Sequence, residues 1–302
     1  MCSIGGFISR DPIEPWKARR LSSALLHFGL SRGDQSSGIF YNNTLLKRAV
    51  SATDLINADD FYELFSTPNN SNICLTHTRF PTSGERGDDQ AHPFWVGNTI
   101  SVHNGSIHNC KHVRDKWKLD KPSGVDSELF TQAIAKYGIY KLPQIADDLS
   151  ASAAIAVLDN DTLYLARDGN PLEYMTILDG DNPITIFAST ATQVTSTINH
   201  LWLIPRLPTT TTLPQNKIFS ITPDGELDEV GPFYTMPPLT PTSKAFQTAK
   251  QFWDDWDIPT DSSAYSWRAP YPSSSKSKTG GGSKAKKDRN RNGTSSHHKK
   301  AR

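Results

Sequence analysis

The sequence predicts an α+β domain of packed layers, and three observations carry that expectation. Short runs of strand composition recur along most of the chain, turn residues separate them, and only two stretches show clear helical spacing. The strand-like runs are CSIGGFI from Cys2, SNICLTHTRF from Ser71, NTISVHN from Asn98, SAAIAVLD from Ser152, DTLYLAR from Asp161, PITIFAS from Pro183 and KIFSIT from Lys217. The helical stretches run from Lys17 to Gly29 and from Ser127 to Tyr137, with apolar residues three and four apart. Acidic Asp126 and Glu128 stand at the start of the second, where the helix dipole favours negative charge. Periodicity alone does not give the strand order.

Composition narrows the remaining choices. Hydrophobic residues make up 36% of the 302-residue chain, enough to build a sizeable core in part of it. The 32 basic and 31 acidic residues nearly cancel, so overall charge points to no polyanionic partner, but the chain turns strongly basic after Ser273. The first residues lack a basic start followed by a long apolar run, and no stretch approaches ~20 uninterrupted apolar residues. A cytoplasmic protein without membrane contact is therefore expected. Only Cys2, Cys74 and Cys110 are present, an odd and sparse set that suits a reducing compartment. No CxxC or His-rich cluster suggests a metal, and none is expected.

The boundaries follow from composition shifts. The domain is expected to span 2–240, closed by Pro237, Pro238 and Pro241. A C-terminal helix is expected within 241–260, with Phe246, Ala249, Phe252, Trp253 and Trp256 on one stripe, ended by Pro259. Packing of that helix on its own domain is favoured over a partner's groove. Residues 261–302 read as a disordered basic tail, because the run after Pro272 lacks core formers. Contact of this tail with a polyanion is the functional alternative to plain solvation.

Chemistry is carried by a set of spaced residues. Cys2 directly follows the initiator, and removal of Met1 would leave a cysteine whose own α-amine, titrating near ~8, can serve as a base for the thiol. Asn104 and Gly105 follow the strand-like TISV. The asparagine amide and glycine N–H can point at one developing oxyanion, although Asn-Gly is also the commonest hairpin dipeptide. Arg79, within THTRFPTSG, can clamp an α-carboxylate through two parallel hydrogen bonds, and Asp126, within GVDSE, can pair with an α-ammonium. An amino-acid substrate needs both, whereas either alone is an ordinary surface charge.

Together these residues resemble the glutaminase domain of the class II glutamine amidotransferases, which are N-terminal-nucleophile hydrolases. Cys2-Ser-Ile-Gly-Gly is similar to the family's C-G-I-x-G start, Arg32 to Gly38 to its RGxDSxG segment, and His77-Thr-Arg79 with Thr82 and Gly84 to its HTRxxTxG loop. Ala91-His92-Pro93 and His103-Asn104-Gly105 resemble its AHP and HNG elements, and Val125 to Glu128 its TDTE-like segment. Leu165 to Leu172 and Phe187-Ala-Ser189 resemble its RxGxPL and FASD elements. The matches keep family order over about residues 2 to 235, which makes the set far more specific than any single motif.

The resemblance implies a four-layer αββα sandwich, with Cys2 as nucleophile and its α-amine as base. It further implies that Asn104 and Gly105 form the oxyanion hole, that Arg79 and Asp126 bind the carboxylate and ammonium of glutamine, and that Thr82 and His92 line the pocket. Arg32 and Phe80 take supporting places around the nucleophile. No metal or organic cofactor is implied. Phe80 and Ser83 stand where many members have tryptophan and histidine, so closure over glutamine is expected to differ. Nothing after residue 240 resembles an ammonia-accepting domain, so a separate synthase or ligase is expected to receive the ammonia. Two alternatives remain: another N-terminal-nucleophile amidohydrolase, or a catalytically silent binding module with a polyanion-binding tail.

Overall fold

The computed structural model describes residues 1–66, 71–80, 87–120, 123–202 and 209–236. All of them lie in the first of the two compact units into which the chain divides, Met1–Ala249. The expected C-terminal helix and basic tail fall outside the described residues.

Among the described residues, thirteen strands form two antiparallel sheets. In chain order they are β1 (Ser3–Ser9), β2 (Ser36–Tyr41), β3 (Thr44–Arg48), β4 (Ile73–Arg79), β5 (Phe94–Val96), β6 (Thr99–Ile107) and β7 (Ala151–Asp159). They continue with β8 (Thr162–Arg167), β9 (Glu173–Asp179), β10 (Asn182–Ala188), β11 (Thr211–Thr212), β12 (Lys217–Ile221) and β13 (Leu227–Pro232). The first sheet has the order β11-β9-β10-β1-β4-β2-β3 and the second β13-β12-β8-β7-β6-β5. Seven helices accompany them: α1 (Pro15–Gly29), α2 (Ala52–Ile56), α3 (Asp59–Glu63), α4 (Cys110–Trp117), α5 (Glu128–Tyr137), α6 (Leu142–Asp147) and α7 (Ala191–Trp202).

The strands alternate apolar residues between two buried faces, because successive side chains of a strand point opposite ways. On β1, Ile4 and Ile8 enter a cluster shared by the two sheets, while Phe7 packs against helices of the first sheet. On β4, Ile73 and Leu75 face the second sheet and Cys74 faces the helices. Likewise β6 sends Ile100 and Val102 between the sheets and Ile107 towards the helical side. Leu21, Leu25 and Leu26 of α1 and Val194 and Ile198 of α7 cover the first sheet. Val113 of α4, Phe130 and Ile134 of α5 and Ile145 of α6 cover the second. The result is helices, sheet, sheet, helices, the αββα arrangement expected from the family resemblance.

All seven expected strands are present, and the two expected helices appear as α1 and α5. Six further strands and five further helices had not been singled out. Helix α7 shows why. Its Val194, Thr195, Thr197 and Ile198 are β-branched and poor helix formers, yet burial of Val194, Thr197 and Ile198 overrides local preference.

Among the described residues, no helix is long and apolar enough to cross a membrane.

Candidate active site

The two-residue period of the strands places the polar ends of three strands at one end of the sandwich. On β4, His77 and Arg79 continue the inward face begun by Ile73 and Leu75. On β6, Asn104 continues that of Ile100 and Val102. Strand β1 runs antiparallel to β4 with Ser3 opposite Thr78, so Cys2, one residue earlier, stands level with Arg79. Residues far apart in sequence thus meet where the apolar interior gives way to buried polar groups.

Cys2 is 8% exposed, and its Sγ lies 3.5 Å from the carbonyl oxygen of Phe80. Its own carbonyl oxygen is held from two sides. Arg32 Nε donates to it at 2.8 Å. The Asn104 carboxamide, oriented by its neighbours, donates through its nitrogen to the same oxygen at 3.2 Å and accepts from Arg32 Nη2 at 3.1 Å. One N–H of that amide remains for another acceptor. Asn104 sits in the middle of β6 opposite Ala154, and Gly105 opposite Ala153, so the Asn-Gly pair is strand rather than hairpin turn. A Cβ on Gly105 would lie 1.8 Å from the carbonyl oxygen of Ser152 on β7, which only glycine avoids.

Burial pushes the Cys2 thiol above its ordinary pKa. The Phe80 backbone, the N-terminal amine and Arg79 pull it down, while Asp126 adds to the rise. With Met1 in place the amine belongs to Met1, and partial burial lowers its pKa, with Arg32 acting in the same direction. Arg79 is 5% exposed. Burial holds its guanidinium below the ordinary value, opposed by Cys2 and Asp126, so the three groups sense one another electrostatically.

Asp126 precedes α5 and is fixed by backbone donors. Ile107 N donates to Oδ2 at 2.7 Å and Ser127 N to Oδ1 at 3.0 Å. His92 is 2% exposed, with its ring stacked 4.1 Å from that of His77 and edge-on to Phe94. Gly38 of β2 makes room for that turn, since a Cβ there would lie 2.1 Å from His92 O. His77 Nε2 bridges the sheets to the carbonyl oxygen of His103 at 3.0 Å. Burial lowers the pKa of His77 to about 3 and that of His92 well below its ordinary value. Both rings are therefore neutral near pH 7. The Phe80 side chain is exposed, and Thr82 lies outside the described residues.

Several supporting residues were not singled out from the sequence. Ser3 Oγ donates to Gln193 Oε1 at 2.7 Å, and Gln193 Nε2 donates to Leu25 O at 2.8 Å, tying the start of β1 to both α7 and α1. Ser189 Oγ accepts from Ile4 N at 2.9 Å. Asn170 Nδ2 donates to Asn104 O at 2.9 Å and steadies β6 beside Cys2. Ser189 and Asn170 lie inside the quoted motifs, which was their only signal. Gln193 had none. No cluster of three or more metal-ligating side chains occurs among the described residues.

Two facing antiparallel sheets between helical layers, with a cysteine at the head of a central strand and an Asn-Gly pair beside it, are the arrangement that the resemblance to class II glutamine amidotransferase domains implies. A glutamine amidotransferase domain model matches residues 77–196. The amidophosphoribosyltransferase of Methanothermobacter thermautotrophicus is 29% identical over 185 residues, covering 55% of this chain and 37% of that protein. The isomerizing glutamine–fructose-6-phosphate aminotransferase of Agrobacterium fabrum is 28% identical over 185 residues, covering 57% of this chain and 29% of that protein. The chain thus spans about a third of the length of these relatives. Among solved structures, the B. subtilis glutamine phosphoribosylpyrophosphate amidotransferase complexed with ADP and GMP shares the fold. It matches with a TM-score of 0.57 at 16% identity over 76% of this chain and 49% of that one.

Proposed function

We propose that this protein hydrolyses the side-chain amide of glutamine through Cys2, once Met1 has been removed, and passes the ammonia to an acceptor enzyme on a separate chain. The observation that supports the reading is the double hold on Cys2 O by Arg32 and Asn104, which ties the start of β1 to β6 of the opposite sheet.

In this reading Cys2 Sγ attacks the amide carbon while its α-amine accepts the thiol proton. The remaining Asn104 N–H and the Gly105 N–H stabilise the tetrahedral oxyanion. The α-amine returns the proton to the departing nitrogen, ammonia leaves, and a γ-glutamyl thioester remains. Water, activated by the same amine, attacks the thioester, releasing glutamate and restoring the thiol. Arg79 holds the α-carboxylate and Asp126 the α-ammonium. Thr82 and His92 complete the pocket wall, and Arg32 and Phe80 support the nucleophile. The mechanism calls on no cofactor. Residues 241–302 carry an aromatic stripe followed by a basic low-complexity run. The same run supports contact of the tail with a polyanion.

Intact-mass analysis together with a glutaminase assay tests the proposal. Active protein should begin at Cys2, and Cys2→Ala and Cys2→Ser should each lose nearly all turnover while keeping their circular dichroism, because a hydroxyl of far higher pKa does not replace thiolate chemistry. Full activity in protein that retains Met1 would sink the N-terminal base.

A further inference from the structure

We propose that His103 and Ser127 act as a positioning pair that sets the Asp126 carboxylate to receive an α-ammonium group, so that preference for an α-amino acid amide is built into the junction of β6 and α5. The inference rests on the glutaminase reading and adds to it the origin of substrate selectivity.

Ser127 occupies the N-cap of α5, where a serine hydroxyl ordinarily accepts from a backbone N–H of the first turn. Here the side chain makes no such bond. Its Oγ turns inward instead, 2.8 Å from His103 Nδ1 and 3.4 Å from Asp126 Oδ1. Both residues are buried, Ser127 at 4% exposure and His103 at 1%. A buried hydroxyl that forgoes its cap has been recruited to another task, and the contacts show which one.

His103 is held firmly enough to serve as an anchor. Its carbonyl oxygen accepts from His77 Nε2 at 3.0 Å, and its ring lies edge-on to Phe130 with centroids 5.2 Å apart. Its Nε2 faces the carbonyl oxygen of Ser152 at 3.4 Å. A neutral imidazole carries one N–H. A carbonyl can only accept, so the proton belongs on Nε2 and Nδ1 accepts from the Ser127 hydroxyl. The shorter of the two Ser127 contacts agrees with this assignment. Asp126 is then left with one backbone donor on each oxygen, from Ile107 and Ser127, and with lone pairs free for an ammonium. Since His103 immediately precedes Asn104, the same anchor serves the oxyanion arm through the chain and the ammonium arm through Ser127.

The test compares glutamine with glutaramic acid, which has the same amide and carboxylate but no α-amino group. In Ser127→Ala the ratio of kcat/KM for glutamine to that for glutaramic acid should fall about tenfold, mainly through a higher KM for glutamine. Ser127→Thr, which keeps the hydroxyl, should restore the wild-type ratio. His103→Asn, whose shorter side chain cannot reach Ser127, should lower the ratio as Ser127→Ala does and keeps the test open if that variant fails to fold. A role confined to the fold would depress both substrates in proportion, and an unchanged ratio in Ser127→Ala and His103→Asn overturns the proposal. If the wild type turns over neither amide, the glutaminase reading fails instead. The ratio of the two dissociation constants, measured by calorimetry on Cys2→Ala protein with and without Ser127→Ala, then still decides the pair.

Discussion

Replacing Asn104 by alanine tests its structural role and its proposed catalytic role separately. In the resting protein the carboxamide joins Cys2 O at 3.2 Å to Arg32 Nη2 at 3.1 Å, and the residue is 2% exposed. Arg32 Nε remains on Cys2 O at 2.8 Å, so the nucleophile's backbone keeps one of its two donors. A neutral hydrogen bond contributes about 1 kcal/mol and one to a charged group about 1.5–3 kcal/mol, so the two together are worth about 2.5–4 kcal/mol. For a domain of this size that corresponds to a fall in Tm of about 5–16 °C. Catalysis should suffer separately, because in the proposed mechanism the second amide N–H is the oxyanion donor. Loss of one such donor costs about 10²–10³ in kcat, or ~2.7–4 kcal/mol of transition-state stabilisation, with KM little changed. The assay is steady-state glutamate release below the variant's Tm, with a thermal melt on the same sample. A folded Asn104→Ala protein whose kcat stays within about fivefold of wild type would refute the oxyanion assignment.

Arg79→Lys should raise KM for glutamine far more than it lowers Tm, because an ammonium cannot reproduce a two-point carboxylate clamp; a KM unchanged in steady-state kinetics would remove Arg79 from substrate recognition. Acid should destabilise the fold through buried histidines. The folded pKa of His77 is about 3 against an ordinary 6.5, so between these values the unfolded chain binds more protons and stability falls as pH is lowered from 6.5 towards 3. His77→Gln should flatten the dependence of Tm on pH over the upper part of that window, and identical slopes in wild type and variant would contradict it. Truncation after Pro272 should leave glutamine hydrolysis unchanged but abolish salt-sensitive retention on a polyanion column, whereas equal retention of both forms would reject tail docking.

The family resemblance was legible because it is written in local, ordered signals. Cys2 next to the initiator, Asn104-Gly105 after an apolar run, and Arg79 and Asp126 in recognisable segments each pair a residue type with a position. The strand character of the runs that hold Ile4, Leu75 and Val102 was equally legible. The helix over Ser127 to Tyr137, read from apolar spacing and the acidic Asp126 and Glu128, was begun one residue early, at the N-cap.

Other features became visible only in three dimensions. Whether Asn104-Gly105 turns the chain or continues a strand depends on β7, since the Ser152 carbonyl occupies the space that a Cβ on Gly105 would need. The inward turn of the Ser127 hydroxyl depends on a histidine 24 positions away in the chain, and the tie from Ser3 to Gln193 spans 190. Helix α7 has weak helical propensity and forms because Val194 and Ile198 are buried against the first sheet. Sequence by itself determined which chemical groups are present and the alternation that sends them inward, because rotamer and strand geometry are local properties. Tertiary structure decided which of those groups meet, because the contacts between the two sheets join residues whose separation along the chain leaves no local trace.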